Sequence, residues 1–304
     1  MYVFYDILIM SDGRNYTGDN VSKINSKSKI LTLTAPIMSG IANVIWDKVI
    51  ISISGGKDSA ALLAWAVQNF SRDVLVAVHA VIDIDWTETL DIVKAQCAQF
   101  GIELVLVHGV DKNGDTKGFL DQLTAPRVNR KSGEVGEYQF PSMSARWCTS
   151  LLKTNPIDKY ARTFTGNVLV LIGERREESP NRSKLEAIRP DTKNSIANRT
   201  IVKHSPILDM TEEQVWAVID ELEIIKHPCY SWGVKRASCA ICIFSSDKEI
   251  RIAAEKAPEI VAKYIAAEKK IKHTFRFIPA TKKRGEIKKT IEQIINDKSL
   301  QEVA

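Results

Sequence analysis

The sequence predicts an α/β protein built on a doubly wound parallel sheet, with a C-terminal helical portion that carries cysteines. Two observations point there. Apolar runs at Val49–Ile53, Val74–Ile82 and Glu103–Val107 alternate with helical segments, and a further apolar run stands at Val168–Ile172, the pattern of parallel strands buried on both faces. The hexapeptide Ser54-Gly55-Gly56-Lys57-Asp58-Ser59 joins the first run to a helical pattern reaching about Phe70, giving strand, glycine turn and helix. Such a turn aims backbone N–H groups and a helix N-terminus at an anion. In open sheets ligands bind beyond the carboxyl ends of the strands, where this turn lies.

The remaining elements follow in order. Residues 1–45 read as an N-terminal extension, residues 46–225 as the nucleotide domain and residues 226–304 as a cysteine-motif and helical region. After the strand Val74–Ile82 comes a helix over Thr87–Phe100, then the strand Glu103–Val107 and a long polar segment from Gly109 to Pro141. A helix over Ser144–Arg162 is broken by Pro156. Thr211-Glu212-Glu213-Gln214 is a capping box opening a helix to about Glu223, with Val215, Val218, Ile219 and Leu222 on one face. A second box, Ser246–Glu249, opens helical segments reaching His273. Ile287, Ile291, Ile294 and Ile295 predict a terminal amphipathic helix within residues 281–299.

Bulk properties narrow the class. With 304 residues and 44% hydrophobic content the chain can bury a large core. No stretch approaches the ~20 apolar residues of a membrane span, and Met1–Asp6 lacks the basic start of a secretion signal, so a cytoplasmic protein without a membrane partner is expected. A net charge of +5 permits a nucleic-acid partner without requiring one. Five cysteines without a secretion signal favour metal or thiol chemistry over disulfides. Cys97 reads as a core residue, whereas Cys148, Cys229, Cys239 and Cys242 supply a four-ligand set suited to [4Fe–4S] or zinc. The bland reading of these four is reduced structural thiols. His79 and His108 read as packed or hydrogen-bonded, Trp147 as packing, and Lys282-Lys283-Arg284 as a solvated face.

The hexapeptide is not the eight-residue loop ending in Gly-Lys-Ser/Thr, so transfer of a terminal phosphoryl group is not what it suggests. It resembles the pyrophosphate loop, Ser-Gly-Gly-x-Asp-Ser, of the adenine nucleotide alpha hydrolases. That resemblance implies cleavage of ATP between the α and β phosphates and adenylation of a substrate. Glu88-Thr89, Arg146-x-Cys148-Thr149 with Lys153, Gly173-x-Arg175-x-x-Glu178-Ser179, His227-Pro228-x-Tyr230 and Cys239-x-x-Cys242 are similar, in order, to elements of the phosphoadenosine phosphosulfate reductases. Asp83 or Asp85 stands for that family's aspartate.

Two departures are notable. The loop keeps the full Lys57-Asp58-Ser59 half expected for ATP, and no cysteine follows Cys242 to act as the reductases' attacking thiol. The closer resemblance is to the ATP-pyrophosphatase component of DNA phosphorothioation systems. It implies ATP, Mg²⁺ and a [4Fe–4S] cluster on Cys148, Cys229, Cys239 and Cys242, with zinc as the alternative. A cysteine desulfurase as sulfur donor and DNA as substrate are also implied, and a homo-oligomer stays open. Lys57, Asp58, Ser59 and Arg175 are the catalytic candidates. Ser54, Gly55, Gly56, Asp83, Gly173 and Arg176 join them as nucleotide contacts. The alternatives are an adenylyl sulfate reductase that borrows a partner's thiol, and a nucleotide-sensing regulator without turnover.

Overall fold

The computed structural model describes residues 41, 44–111, 113–125, 127, 128, 133, 135, 136, 140–143, 145–278, 285 and 287–297. Residues 1–40 of the N-terminal extension and the Lys282-Lys283-Arg284 run lie outside them. The chain divides into two compact units, neither continuous in sequence. The first comprises the described residues to His79, then Glu88–Leu106 and Ile157–His227; the second takes Ala80–Thr87, Val107–Pro156 and the chain from Pro228. The C-terminal helical portion thus shares its unit with two earlier segments.

The first unit is organised by a mostly parallel six-stranded sheet flanked by helices. Its strands are β1 (Lys48–Ser52), β2 (Leu75–Val81), β3 (Leu104–His108), β6 (Gly166–Ile172), β7 (Ile188–Pro190) and β8 (Arg199–His204), in the order β3-β2-β1-β6-β8-β7. β1 pairs in parallel with both β2 and β6, and β6 with β8, whereas β7 runs antiparallel to β8. Helix α1 (Lys57–Asn69) leaves the end of β1, and α2 (Thr89–Phe100) leads into β3. Residues Ala60 to Val67 of α1 are all buried, because the helix packs on the sheet, on α2 and on α6 (Glu212–Glu221). An Ala- and Leu-rich run suits that place: it forms helix readily and leaves no polar group to desolvate. The Thr211/Gln214 capping box starts α6.

Three features depart from the sequence expectations here. β3 is an edge strand with Leu106 and His108 exposed, so it is not buried on both faces. β7 and β8 escape a search for apolar runs because charged residues interrupt them, with only Ile201 and His204 of β8 fully buried. His108 is exposed, while His79 is buried with Nδ1 2.9 Å from the Ile53 carbonyl oxygen. Cys97 is core, and burial pushes its thiol up to about 12.

His227 closes this unit. It is buried, and its Nε2 lies 3.1 Å from Thr89 Oγ1 at the start of α2. Burial pushes its imidazole down to about 4, outweighing the opposing pull of Glu88. The neutral ring therefore contributes stability that is complete above the ordinary pKa of 6.5 and is lost as pH falls from there through about 4. We expect parent and His227→Asn protein to differ less in melting temperature at pH 5 than at pH 7.5. The shift allows at most about 3 kcal/mol of such change.

The second unit holds the helices α3 (Phe119–Thr124), α7 (Asp247–Lys256), α8 (Pro258–Ile271) and α9 (Ile291–Asn296). It also contains the short pairs β4 (Arg127–Val128) with β5 (Val135–Gly136) and β9 (Arg276–Ile278) with β10 (Ile287–Lys289). Its core stacks Phe119, Phe140 and Tyr264 with Phe275 edge-on, and Trp147 lies 5.1 Å from Phe119 as a packing residue. The predicted terminal helix is corrected: Ile287 pairs across a hairpin with Ile278, and helix begins only at Ile291, after the Thr290/Gln293 capping box. The expected break at Pro156 does not occur: α4 (Trp147–Thr149), a π-helical turn over Ser150–Thr154 and α5 (Asn155–Ala161) follow one another without interruption, with Pro156 the second residue of α5 and the wider turn lying just before it.

Candidate functional site

The glycine loop of the first unit is shaped by two close approaches. Gly55 has φ +76, and a Cβ there would lie 3.2 Å from Val93 of α2. Gln96 of the same helix donates to the Gly55 carbonyl (3.4 Å) and to that of Ile225 (2.8 Å), tying the loop to the segment after α6. The second approach is at the end of β6, where a Cβ on Gly173 would meet the Asp58 carbonyl oxygen at 3.0 Å. Only a glycine lets the β6 end lie against the first turn of α1.

The hydroxyl of Ser59 turns back on the loop: it donates to the Gly56 carbonyl (2.9 Å) and accepts from the Ser54 N–H (3.1 Å). Ser54 Oγ is 3.2 Å away. The serines hold the loop's shape, leaving the first-turn N–H groups of α1, which have no intrahelical acceptor, as the anion-facing donors. Gly55→Ala forces a side chain into the left-handed region and against Val93. We expect a loss of roughly 1–2 kcal/mol in stability and weaker nucleotide binding, read by thermal melting and by titration.

Beside that turn lies a network of charges. Arg175, just past β6, is 3% exposed and donates through Nε to Asp58 Oδ1 and through Nη1 to Glu177 Oε2, both at 2.6 Å. Its Nη2 lies 3.8 Å from Glu212. Lys57 Nζ, 4% exposed, is 3.6 Å from Asp58 and 3.5 Å from Glu212. Burial works against the Arg175 charge, but the bonds to Asp58 and Glu177 overcome it and hold the guanidinium above its ordinary value. Two cations are thus fixed at a helix N-terminus by three carboxylates. Arg176 points elsewhere: its guanidinium pairs with Asp209 and donates to the carbonyls of Ser183 (2.9 Å) and Leu185 (2.6 Å), bracing the segment after β6.

Asp83 belongs to the second unit, where its carboxylate accepts from the N–H groups of Phe119 (2.6 Å) and Leu120 (3.3 Å) and caps α3. The cysteines lie in the same unit. Lys153, on the π-helical turn, donates to Cys239 Sγ at 3.7 Å. Cys239, opposed by burial and helped by Asp85, Cys242 and Cys148, raises the Lys153 ammonium above its ordinary value. Burial pushes the Cys239 and Cys148 thiols up, and Lys153 opposes it at both. Asp85 pairs with Cys239 through a backbone bridge. Cys229 sits in the Pro228–Tyr230 turn, fully buried in the apolar core. The thiols as placed do not make a metal cradle: no group of three or more His, Cys, Asp or Glu among the described residues is arranged to hold an ion.

Comparison with known proteins agrees with the loop geometry. The family model for the phosphoadenosine phosphosulfate reductase domain matches residues 48–245, which include the loop, Gly173, Arg175 and all four cysteines from Cys148 to Cys242. The chain belongs to this family. An uncharacterized protein of Methanocaldococcus jannaschii is 27% identical over 249 residues, covering 79% of this chain and 54% of that protein. Adenosine 5'-phosphosulfate reductase of Neisseria meningitidis is 34% identical over 97 residues, covering 32% of this chain and 36% of the reductase. The chain spans about half the length, or less, of the curated relatives it matches first. A crystal structure of phosphoadenylyl-sulfate reductase from Candida auris aligns with a TM-score of 0.46 and 14% identity, over 73% of this chain and 95% of that one.

Within the family motifs, sequence reasoning picked out Lys57, Asp58 and Arg175, which the structure brings together. It missed Glu212, visible only as a capping-box residue, and Gln96, an unremarked polar residue on α2. Lys153 stood in a motif, but its position among the thiols depends on the wide helical turn. Among the described residues no helix is long and apolar enough to cross a membrane.

Proposed function

We propose that this family member cleaves ATP between its α and β phosphates and adenylates a substrate for sulfur insertion. The observation that carries the reading is the pairing of an intact Ser-Gly-Gly-Lys-Asp-Ser loop with Lys57 and Arg175 at the N-terminus of α1. A substrate oxygen attacks the α-phosphorus, the bond to the bridging oxygen breaks, and pyrophosphate leaves with the electron pair. The residues' task is to orient the phosphates and offset the charge that builds on the leaving group. The first-turn N–H groups hold the phosphate chain, and Lys57 and Arg175, kept in place by their carboxylate partners, stand beside it. Carboxylate oxygens of Asp58 and Glu212 suit the hard Mg²⁺ ion, which supplies further charge neutralisation when bound.

The acceptor is a nucleic-acid phosphate oxygen, with DNA favoured by the resemblance to phosphorothioation systems, and the sulfur comes from a cysteine desulfurase. No step runs through a metal cluster. A [4Fe–4S] cluster on Cys148, Cys239 and Cys242, with Cys229 as fourth ligand, requires the thiols to close from their present placement. A visible absorption band with matching iron in anaerobically purified protein supports it, and stoichiometric zinc or no metal removes it.

A second reading, reduction of an adenylyl sulfate with a partner's thiol, is favoured by the 97-residue match to the Neisseria reductase. Mg²⁺-dependent pyrophosphate release from ATP supports the first reading; reduction of adenylyl sulfate without ATP cleavage supports the second.

A further inference from the structure

The residue before Arg175 anchors it from the far side. The backbone at Arg175 is extended, with φ −127° and ψ 149°, so the side chains of its two neighbours leave on the side opposite its own. Arg175 reaches Asp58 at the start of α1. Glu174 reaches the other way, toward the two strands beyond β6. Its Oε1 accepts from the hydroxyl of Ser205, just past β8, at 2.7 Å and from Nη2 of Arg189 on β7. The same Nη2 donates to Ser205 Oγ at 2.9 Å, which closes a ring of three side chains. Ser205 is fully buried and Glu174 is 13% exposed, so water competes little for these charge-assisted bonds. The other neighbour, Arg176, is held more weakly. Its ion-pair partner Asp209 is largely exposed, and its carbonyl partners Ser183 and Leu185 belong to the same segment as Arg176 itself.

Arg175 needs such an anchor because its own bonds do not tie it to the sheet. Glu177 lies in the same segment after β6 and is half exposed. Asp58 lies where the proposed function brings Mg²⁺ and the phosphates. The guanidinium is therefore kept in register with α1 by the hold on the backbone before it: Gly173 against the Asp58 carbonyl, and Glu174 on β7 and β8. We infer that Glu174 is a positioning residue, which through Ser205 and Arg189 fixes where Arg175 stands against the glycine loop. The inference rests on the proposed function for what Arg175 does there; the hold itself is present without nucleotide.

Two measurements on the full chain test it: pyrophosphate release from ATP with Mg²⁺ and a DNA acceptor, and modification of Arg175 by phenylglyoxal without nucleotide, read by peptide mass. Glu174→Leu is expected to lower kcat roughly 10²-fold with KM little changed, the loss that follows a misplacement of about 1 Å. The same variant, still folded by urea titration, should raise the rate of Arg175 modification about tenfold. Glu174→Gln keeps an acceptor for Ser205 and should stay within about tenfold of the parent in kcat. Ser205→Ala removes one of the two anchors and leaves no buried charge alone, so it folds even where Glu174→Leu does not, and should raise Arg175 modification about threefold. Arg175 modification at the parent rate in both variants would overturn the inference, as would a loss of rate that falls on KM alone or that Glu174→Gln does not relieve. A parent that releases no pyrophosphate, with Arg175 modification raised in the variants, removes the proposed function and upholds the anchor. Pyrophosphate release with Arg175 modification unchanged does the reverse.

Discussion

Lys57→Ala is expected to slow pyrophosphate release by about 10²- to 10³-fold, the loss that follows removal of one preorganised donor at a site of developing charge. Lys57 is the first residue of α1, nearly buried, and held between Asp58 and Glu212. The ammonium is therefore positioned before the nucleotide arrives. The loss should fall mainly on kcat, because the charge on pyrophosphate grows only as the bond to the α-phosphate breaks. Its carboxylate partners are 18% and 53% exposed, so they find water once the lysine is gone, and folding suffers by only about 1 kcal/mol. A variant that folds, binds ATP and turns it over at the parent rate would remove Lys57 from the chemistry.

Arg175→Ala should damage fold and site together. The side chain is 3% exposed and forks between Asp58 and Glu177, and Glu177 also accepts the N–H of Glu212 at 3.0 Å. Removing the guanidinium leaves Asp58 with Lys57 as its remaining cation, takes the buried partner from Glu177 and loosens the tie between the end of β6 and α6. A fully buried pair broken this way costs about 3–5 kcal/mol; with Glu177 half exposed we expect about 2–3. Arg175→Lys should recover little, because one ammonium cannot make both bonds of the planar fork. Urea unfolding measures the first effect and pyrophosphate release the second. An alanine variant as stable as the parent would mean that the ion pairs contribute nothing.

The parallel sheet was legible because its central strands are continuous apolar runs and its key turn has a distinctive composition. β7 and β8 were not, since an antiparallel edge and a strand interrupted by Arg199 and Lys203 lack that signal. The terminal isoleucines misled for a related reason. Ile287 and Ile291 have helical spacing, yet Ile287 faces Ile278 across a hairpin, a long-range pairing that local periodicity does not contain. In the site, Gly55 and Asp58 were legible from the glycine loop, and Gly173 and Arg175 from the motif past the last apolar run; the left-handed backbone of Gly55 and the close approach at Gly173 emerge only in the fold. Glu212 did not. It reaches Lys57 only because α6 packs on α1, which is a property of the folded core. Asp83 shows a role that its motif position does not reveal: its carboxylate caps α3.

The central claim is that the loop directs cleavage to the α–β bond. ATP labelled at the γ-phosphate, incubated with the full chain, Mg²⁺ and a DNA acceptor, separates the outcomes in one chromatogram. The account predicts that the label leaves as pyrophosphate, in a reaction that Lys57→Ala suppresses. Label appearing as orthophosphate, with ADP as the other product, would contradict it.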